Sequence, residues 1–239
     1  MPPSADTHPP ELQPSAVKLS AILLAGGRGS RMGGVEKALL RRGQQTQIQR
    51  WLQELQRLDI RTVVVGPPSL KPQIPTPVPL VRETPAFAGP AAGVLAGAVE
   101  LQRHERDTSA GAAPAGWTLL LAVDLTEPAP LLDWLLGQLE DSAQSEAATG
   151  TDDPEGAPAA LLPCDDSGRH QYLSAAVPTG WLLRRAGALT PEEVEHRPLR
   201  WLLSGLEDAA RLRHPVVPRG LSEDVDTLHD AHRLGVHLP

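Results

Sequence analysis

Aromatic side chains are scarce in this 239-residue chain, 3 % in all, with one tyrosine and one phenylalanine beside five tryptophans. A base held in an aromatic sandwich is therefore not expected. Trp51, Trp117, Trp134, Trp181 and Trp201 fall within apolar patterns and read as core. Cysteine is scarcer still: Cys164 stands alone, which excludes an internal disulfide and a multi-cysteine zinc centre. No nucleophile signature surrounds it, so it reads as a core thiol. No apolar run approaches the roughly 20 residues that cross a bilayer, and the opening MPPSADTHPPELQPSA has neither the basic nor the apolar region of a secretory leader. The expected address is the cytoplasm, without a membrane partner. Positive charge is also in deficit, with a net charge of −7, which argues against nucleic acid because that partner needs a broad positive field. The eight histidines show no metal-ligand spacing.

What is present is a chain with 41 % hydrophobic residues, long enough for one α/β domain with a sizeable core. Residues 1–17 are proline-rich and polar and read as a disordered tail, with the domain spanning 18–239. The apolar run AILLA at Ala21–Ala25, ended by glycines, has the pattern of a parallel strand buried on both faces. Ile48, Trp51, Leu52, Leu55 and Leu58 mark one face of a helix over about Thr46–Leu58, and TVVVG at Thr62–Gly66 a second strand. A short strand in VPLVRE, a helix in GPAAGVLAGAVEL whose small residues permit close packing, a strand WTLLLAVD ending at Asp124, and a leucine helix Leu131–Leu139 follow. A loose loop is expected at Asp107–Gly116, and a low-complexity surface loop at about 141–158, dividing the chain into two lobes. The second lobe should hold strands in PAALLPC and YLSAAV, a helix Pro198–Leu206, a strand Arg211–Val217 and a last helix capped by Asp226 or Thr227.

Against the acidic background, Arg28, Arg31, Lys37, Arg41 and Arg42 face only one acid, Glu36, in the stretch 28–42. In open α/β sheets ligands sit beyond the carboxyl ends of the strands. Gly26, Gly27, Gly29, Gly33 and Gly34 remove side chains there, so backbone N–H groups can approach phosphate oxygens. Arg28, Arg31 and Lys37 add forked and point positive charges suited to a polyphosphate. Lys37 is followed by Ala38, so the loop is not a Walker A motif, and G-x-G-x-x-G fails at Met32. Base recognition falls to backbone groups near Leu24–Gly26. Asp124 brings a carboxylate to the same sheet edge, where Mg²⁺ with phosphate oxygens is its natural partner. Asp226, in the acidic cluster SEDVDT, could reach that metal from the far side, or cap the last helix instead.

The order of these motifs carries a resemblance. Leu24 to Lys37 reads L-A-G-G-x-x-x-R-M-G-G-x-x-K, followed by VRETPAFAGPAAGV, LLLAVD and DVDT. The chain resembles the molybdenum cofactor guanylyltransferases and their MobA-like NTP transferase relatives over about Lys18 to Gly235. The resemblance implies a Rossmann-like three-layer α/β/α fold with a mostly parallel sheet, binding Mg²⁺ and GTP at the strand ends. Leu24, Ala25, Gly26, Gly27 and Arg28 would contact the nucleotide, Arg31 and Lys37 would hold phosphates, and Asp124 would bind the metal. Glu83 stands where the family has a nucleotide-binding aspartate. Gly66 occupies the nucleotide-site position where many members carry asparagine. The implied reaction transfers GMP from GTP to molybdopterin cofactor with release of pyrophosphate, with molybdoenzymes or other cofactor-biosynthesis proteins as candidate protein partners. Two alternatives remain open: a nucleotidyltransferase for another phosphorylated acceptor (a sugar phosphate or other pterin, with CTP as a possible donor), and a nucleotide-binding module without turnover.

Overall fold

A computed structural model describes residues 18–27, 34–108, 116–148, 160–209 and 212–239. The tail 1–17, the loop residues Arg28 to Gly33, most of the loop after 107, and residues 149–159 lie outside them.

The apolar run after Lys18 forms β1 (Leu19–Leu24), an interior strand of a seven-stranded sheet. A hairpin of β2 (Arg41–Arg42) and β3 (Gln45–Thr46) leads into α1 (Gln47–Arg57), whose entry Thr46 fixes with a reciprocal capping box to Gln49. Next come β4 (Arg61–Val65), β5 (Leu80–Val81), α2 (Pro90–Thr108), β6 (Trp117–Ala122) and α3 (Pro128–Ala148). The remainder supplies β7 (Ala160–Leu161), β8 (Ser174–Pro178), α4 (Thr179–Gly187), α5 (Pro191–Val194), α6 (Leu199–Leu202), α7 (Leu206–Ala209), β9 (Leu212–Arg213) and α8 (Leu228–Arg233). The sheet order is β5-β4-β1-β6-β8-β7-β9, parallel from β5 to β6, with β8 antiparallel to both neighbours.

Strand alternation builds the three layers. Ala21, Leu23, Val64, Leu119 and Leu121 point to one face and pack with α1 and α3 through Trp51, Leu55, Leu131 and Leu135. Ile22, Val63, Val65 and Leu120 point to the other and pack with α2 and α4 through Val94, Leu101 and Leu182. The small residues of α2 do what their size suggests. A Cβ on Gly97 would lie 2.6 Å from Ile22 Cγ2, so only glycine lets this helix lie so close to β1.

Several expectations need correcting. Helix α3 continues to Ala148, into the stretch expected to be a surface loop, because no proline or glycine interrupts Asp141–Ala148. The strands after that stretch join the same sheet and build no separate lobe. The helix expected over Pro198–Leu206 breaks into α6 and α7, with Gly205 at φ +83° between them. Of the strand expected at Arg211–Val217, Arg211 lies outside the described residues and the rest forms β9 and an isolated bridge from Val216 to Cys164, since Pro215 cannot donate to a ladder. Cys164 is half-buried where a core thiol was expected, and of the tryptophans only Trp51 is fully buried. Among the described residues no helix is long and apolar enough to cross a membrane.

Candidate active site

The registers of β1, β4 and β6 determine where a site can form. Leu24 pairs with Val65 on one side and with Ala122 on the other, so three parallel strands end level. The chain leaving each of them therefore emerges at one edge: Ala25–Gly27 from β1, Gly66 from β4 and Val123–Asp124 from β6. The Ala25 N–H donates to the Val65 carbonyl at 2.8 Å and the Val123 N–H to the Leu24 carbonyl at 3.0 Å, which extends the ladder one residue past the strands. A cleft of about 500 Å³ opens over this edge, lined by Leu24 to Gly27, Lys37, Glu83, Asp124 and Asp226 among others.

Lys37 sits at the charged end of the cleft, at the start of a short 3-10 turn, Lys37–Leu39. Its Nζ donates to Asp124 Oδ2 at 2.8 Å and to Asp226 Oδ1 at 2.6 Å. Burial alone would lower the Lys37 pKa, but the charges and hydrogen bonds of Asp124 and Asp226 outweigh it and leave it raised. The ammonium is thus held cationic, as a fixed charge and not a proton acceptor. Asp226 does not cap α8: the Thr227 hydroxyl accepts from the Asp230 N–H, leaving Asp226 to face the cleft.

Asp224 joins this group, which sequence reasoning placed in the acidic cluster without giving it a role. Carboxylate oxygens of Asp124, Asp224 and Asp226 all lie within 4.8 Å of one another. The signal was present in the D-V-D alternation: in extended chain, residues two apart share a face, and Val225 between them is fully buried against Leu40, Ala231 and Val236. The Val225 N–H donates to the Asp124 carbonyl at 3.2 Å, tying the two acidic segments together. Partial desolvation of its carboxyl among neighbouring groups, then the charges of Asp124 and Asp226, push the Asp224 pKa up, Lys37 opposing. Such a concentration of negative charge around hard oxygen donors fits Mg²⁺.

The turn that carries Asp124 is held from below by α1. The Trp51 indole Nε1–H donates to the Leu125 carbonyl at 3.0 Å, and Arg50 Nη1 donates to the Thr126 carbonyl at 2.7 Å. Arg42 pairs with Glu127 in the next position. These donors brace a turn in which the first proline after Asp124 is Pro128.

The other expected residues divide. Leu24, Ala25, Gly26, Gly27 and Glu83 line the cleft. Gly66 lies just behind it: a Cβ there would approach Leu70 Cδ1 to 3.0 Å and the Ala25 carbonyl carbon to 3.3 Å, so Gly66 is the thin spacer against which Ala25 rests. Arg28 and Arg31 fall outside the described residues. Lining residues without a role in the sequence reading include Glu36, whose Oε1 accepts from the Ser69 hydroxyl at 2.8 Å, Phe87, and Gly93, where a Cβ would lie 3.2 Å from Leu24 Cδ2.

A probable molybdenum cofactor guanylyltransferase of Methanosarcina acetivorans is 36 % identical over 44 % of this chain and 51 % of its own, so the chain matches about half the length of that curated relative. The crystal structure of molybdopterin-guanine dinucleotide biosynthesis protein A from Archaeoglobus fulgidus shares the fold with a TM-score of 0.55 at 19 % identity, covering 91 % of this chain and 97 % of that one. A 4-diphosphocytidyl-2C-methyl-D-erythritol synthase from Anaerococcus prevotii shares it with a TM-score of 0.56 at 10 % identity, covering 92 % and 95 %. The model of the MobA-like NTP transferase domain matches residues 21–210, and the chain belongs to that family.

Proposed function

We propose that this protein is a Mg²⁺-dependent nucleotidyltransferase that moves GMP from GTP to molybdopterin cofactor and releases pyrophosphate. The observation that carries the reading is Lys37 bonded to both Asp124 and Asp226 beside the Leu24–Gly27 backbone, a cation and a carboxylate cluster in one cleft. Family membership and the relative from Methanosarcina acetivorans support the reaction class and the pterin acceptor.

In this reading the backbone of Leu24 to Gly27 meets the nucleotide, and Arg28, Arg31 and Lys37 hold its phosphates. A phosphate oxygen of the acceptor attacks the α-phosphorus of GTP, and the bond from that phosphorus to the bridging oxygen of pyrophosphate breaks. Bound Mg²⁺, held by Asp124 with Asp226 and Asp224, would neutralise charge on the phosphate oxygens. The chain's own part is alignment and a preorganised positive charge at Lys37, where loss of one such group costs about 3 kcal/mol of barrier. Glu83 contributes to the nucleotide end of the cleft. The cytoplasm is the address consistent with such a substrate.

A second reading keeps the chemistry and changes the donor or acceptor; it is favoured by the shared fold of the synthase from Anaerococcus prevotii. One experiment separates the two: pyrophosphate release from each of four nucleoside triphosphates with Mg²⁺ and molybdopterin. Release with GTP alone supports the first reading, and release with CTP the second. Nucleotide binding with no release from any combination of acceptors would leave a binding module without turnover. Asp124→Asn is expected to abolish release while leaving the thermal midpoint within a few degrees, and undiminished release would remove Asp124 from the site.

A further inference from the structure

Phe87 is the only phenylalanine in the chain and, among the described residues, the only aromatic one lining the cleft. It is 41 % exposed. The exposed part of an aromatic ring forgoes the stabilisation that burial would bring, and this ring is held there at a further cost, because its backbone sits at φ +65°, a conformation that bulky L-residues avoid. The surroundings hold it there. Its N–H donates to Glu83 Oε1 at 2.9 Å, and the next carbonyl, of Ala88, accepts from the His196 N–H at 2.7 Å. The Arg82 guanidinium lies over one face of the ring, 4.9 Å from its centroid. Backbone strain maintained by contacts from two segments, Arg82–Glu83 and the turn at His196, with the ring at a cleft wall, marks a residue positioned for a ligand.

The sheet order says which part of a ligand. Phe87 follows β5, on the far side of β4 from β1, and shares that end of the cleft with the apolar Val65 and Pro67. The ammonium of Lys37 and the carboxylates of Asp124 and Asp226 are grouped at the end carried by β6, with the glycine backbone of Gly26 and Gly27 between. A molecule that fills the cleft has a flat apolar end and a polyanionic end, which is the form of a nucleoside triphosphate. We propose that the Phe87 ring, backed on one face by Arg82, is a stacking platform for the nucleobase on its other face. This inference rests on the proposed occupation of the cleft by a nucleotide. Every base has a π-face, so the platform contributes affinity without choosing the base; the choice then belongs to the hydrogen-bonding groups around it.

The test is calorimetric titration of the full chain with GTP and, separately, with inorganic tripolyphosphate, both with Mg²⁺. Phe87→Leu keeps bulk and removes the aromatic face; it is expected to weaken GTP binding about tenfold and to leave tripolyphosphate unchanged. Phe87→Tyr should restore GTP affinity to within about twofold on the same grounds. Phe87→Gly, which relieves the backbone, should weaken GTP as Phe87→Leu does without lowering the thermal midpoint, so a loss of affinity through unfolding is recognisable. Equal GTP affinity in wild type and Phe87→Leu, or a parallel loss for both ligands, would overturn the platform. Wild type that binds tripolyphosphate but not GTP would do the same, and wild type that binds neither would overturn the nucleotide reading itself.

Discussion

Lys37 and Asp226 are 189 residues apart in the chain and 2.6 Å apart in the structure, Nζ to Oδ1. The first follows the glycine-rich loop and the second precedes the last helix, so the contact closes the site across nearly the whole domain. Asp124 supplies the third member, and it and Lys37 are each 23 % exposed at the side chain. The lysine therefore neutralises carboxylates that would otherwise repel one another.

Removing that cation should expose the repulsion. Lys37→Met is expected to lower the thermal midpoint in the absence of divalent ions, and added Mg²⁺ should raise it by more than in wild type, because a metal that binds only the folded state stabilises by mass action. Thermal melts across a Mg²⁺ series measure this directly. A Mg²⁺ response no larger than that of wild type would show that Asp124, Asp224 and Asp226 do not form the metal site.

Trp51 is fully buried and is the donor to the Leu125 carbonyl. Trp51→Phe keeps an aromatic core residue and strips that carbonyl of its partner, for an expected loss of about 1–3 kcal/mol in denaturant unfolding. Since Leu125 follows the proposed metal ligand, the concentration of Mg²⁺ needed for half-maximal pyrophosphate release should rise as well. A stability loss with an unchanged Mg²⁺ requirement would limit Trp51 to a core role.

Gly66 has Ala25 backbone on one side and Leu70 on the other. Gly66→Ala is expected to destabilise by about 1–3 kcal/mol, the usual cost of overpacking, because the carbonyl carbon 3.3 Å from the new methyl belongs to a paired strand and cannot move freely. Ala25 would shift toward the cleft, so nucleotide affinity should fall too. Wild-type stability in the variant would show that β4 and β1 can separate at this edge.

Asp165 organises the turn after β7. Its Oδ1 accepts from the Ser167 hydroxyl at 2.6 Å, from the Ser167 N–H at 2.9 Å and from the Arg169 N–H at 3.0 Å, and its Oδ2 accepts from Gln171 Nε2. The Ser167 hydroxyl, then the Arg169 N–H, hold its pKa below the ordinary 3.8. A folded-state pKa that is depressed stabilises above the unfolded value and loses that contribution as pH falls through the folded one. Wild type should therefore exceed Asp165→Asn in stability above about pH 4, with the difference shrinking at lower pH. Unfolding curves at neutral pH and near pH 3 compare the two, and a difference independent of pH would point to lost geometry alone.

Much of this was legible in residue order. The apolar runs of β1, β4 and β6 are continuous because parallel strands are covered on both faces, and that pattern needs no partner to be recognised. The same holds for the periodic face of α1 and its threonine cap. The second half was harder to read. There β7 and β9 are two residues each, β7 held by β8 and β9 by β7, so neither has a local pattern long enough to reveal it.

At the site, the sequence by itself determined the ingredients: a glycine-rich turn after a buried strand, a lysine thirteen residues beyond Leu24, an aspartate after β6 and the D-V-D near the end. It did so because strand ends and left-handed turns impose local chemical requirements. Only the tertiary structure decided that Lys37 bridges Asp124 and Asp226, that Asp224 joins them, and that Phe87 stands exposed at the opposite end of the cleft. Those relations depend on the level ends of β1, β4 and β6 and on the return of the C-terminal segment across them. They are properties of register and chain path, which no local spacing of residues contains.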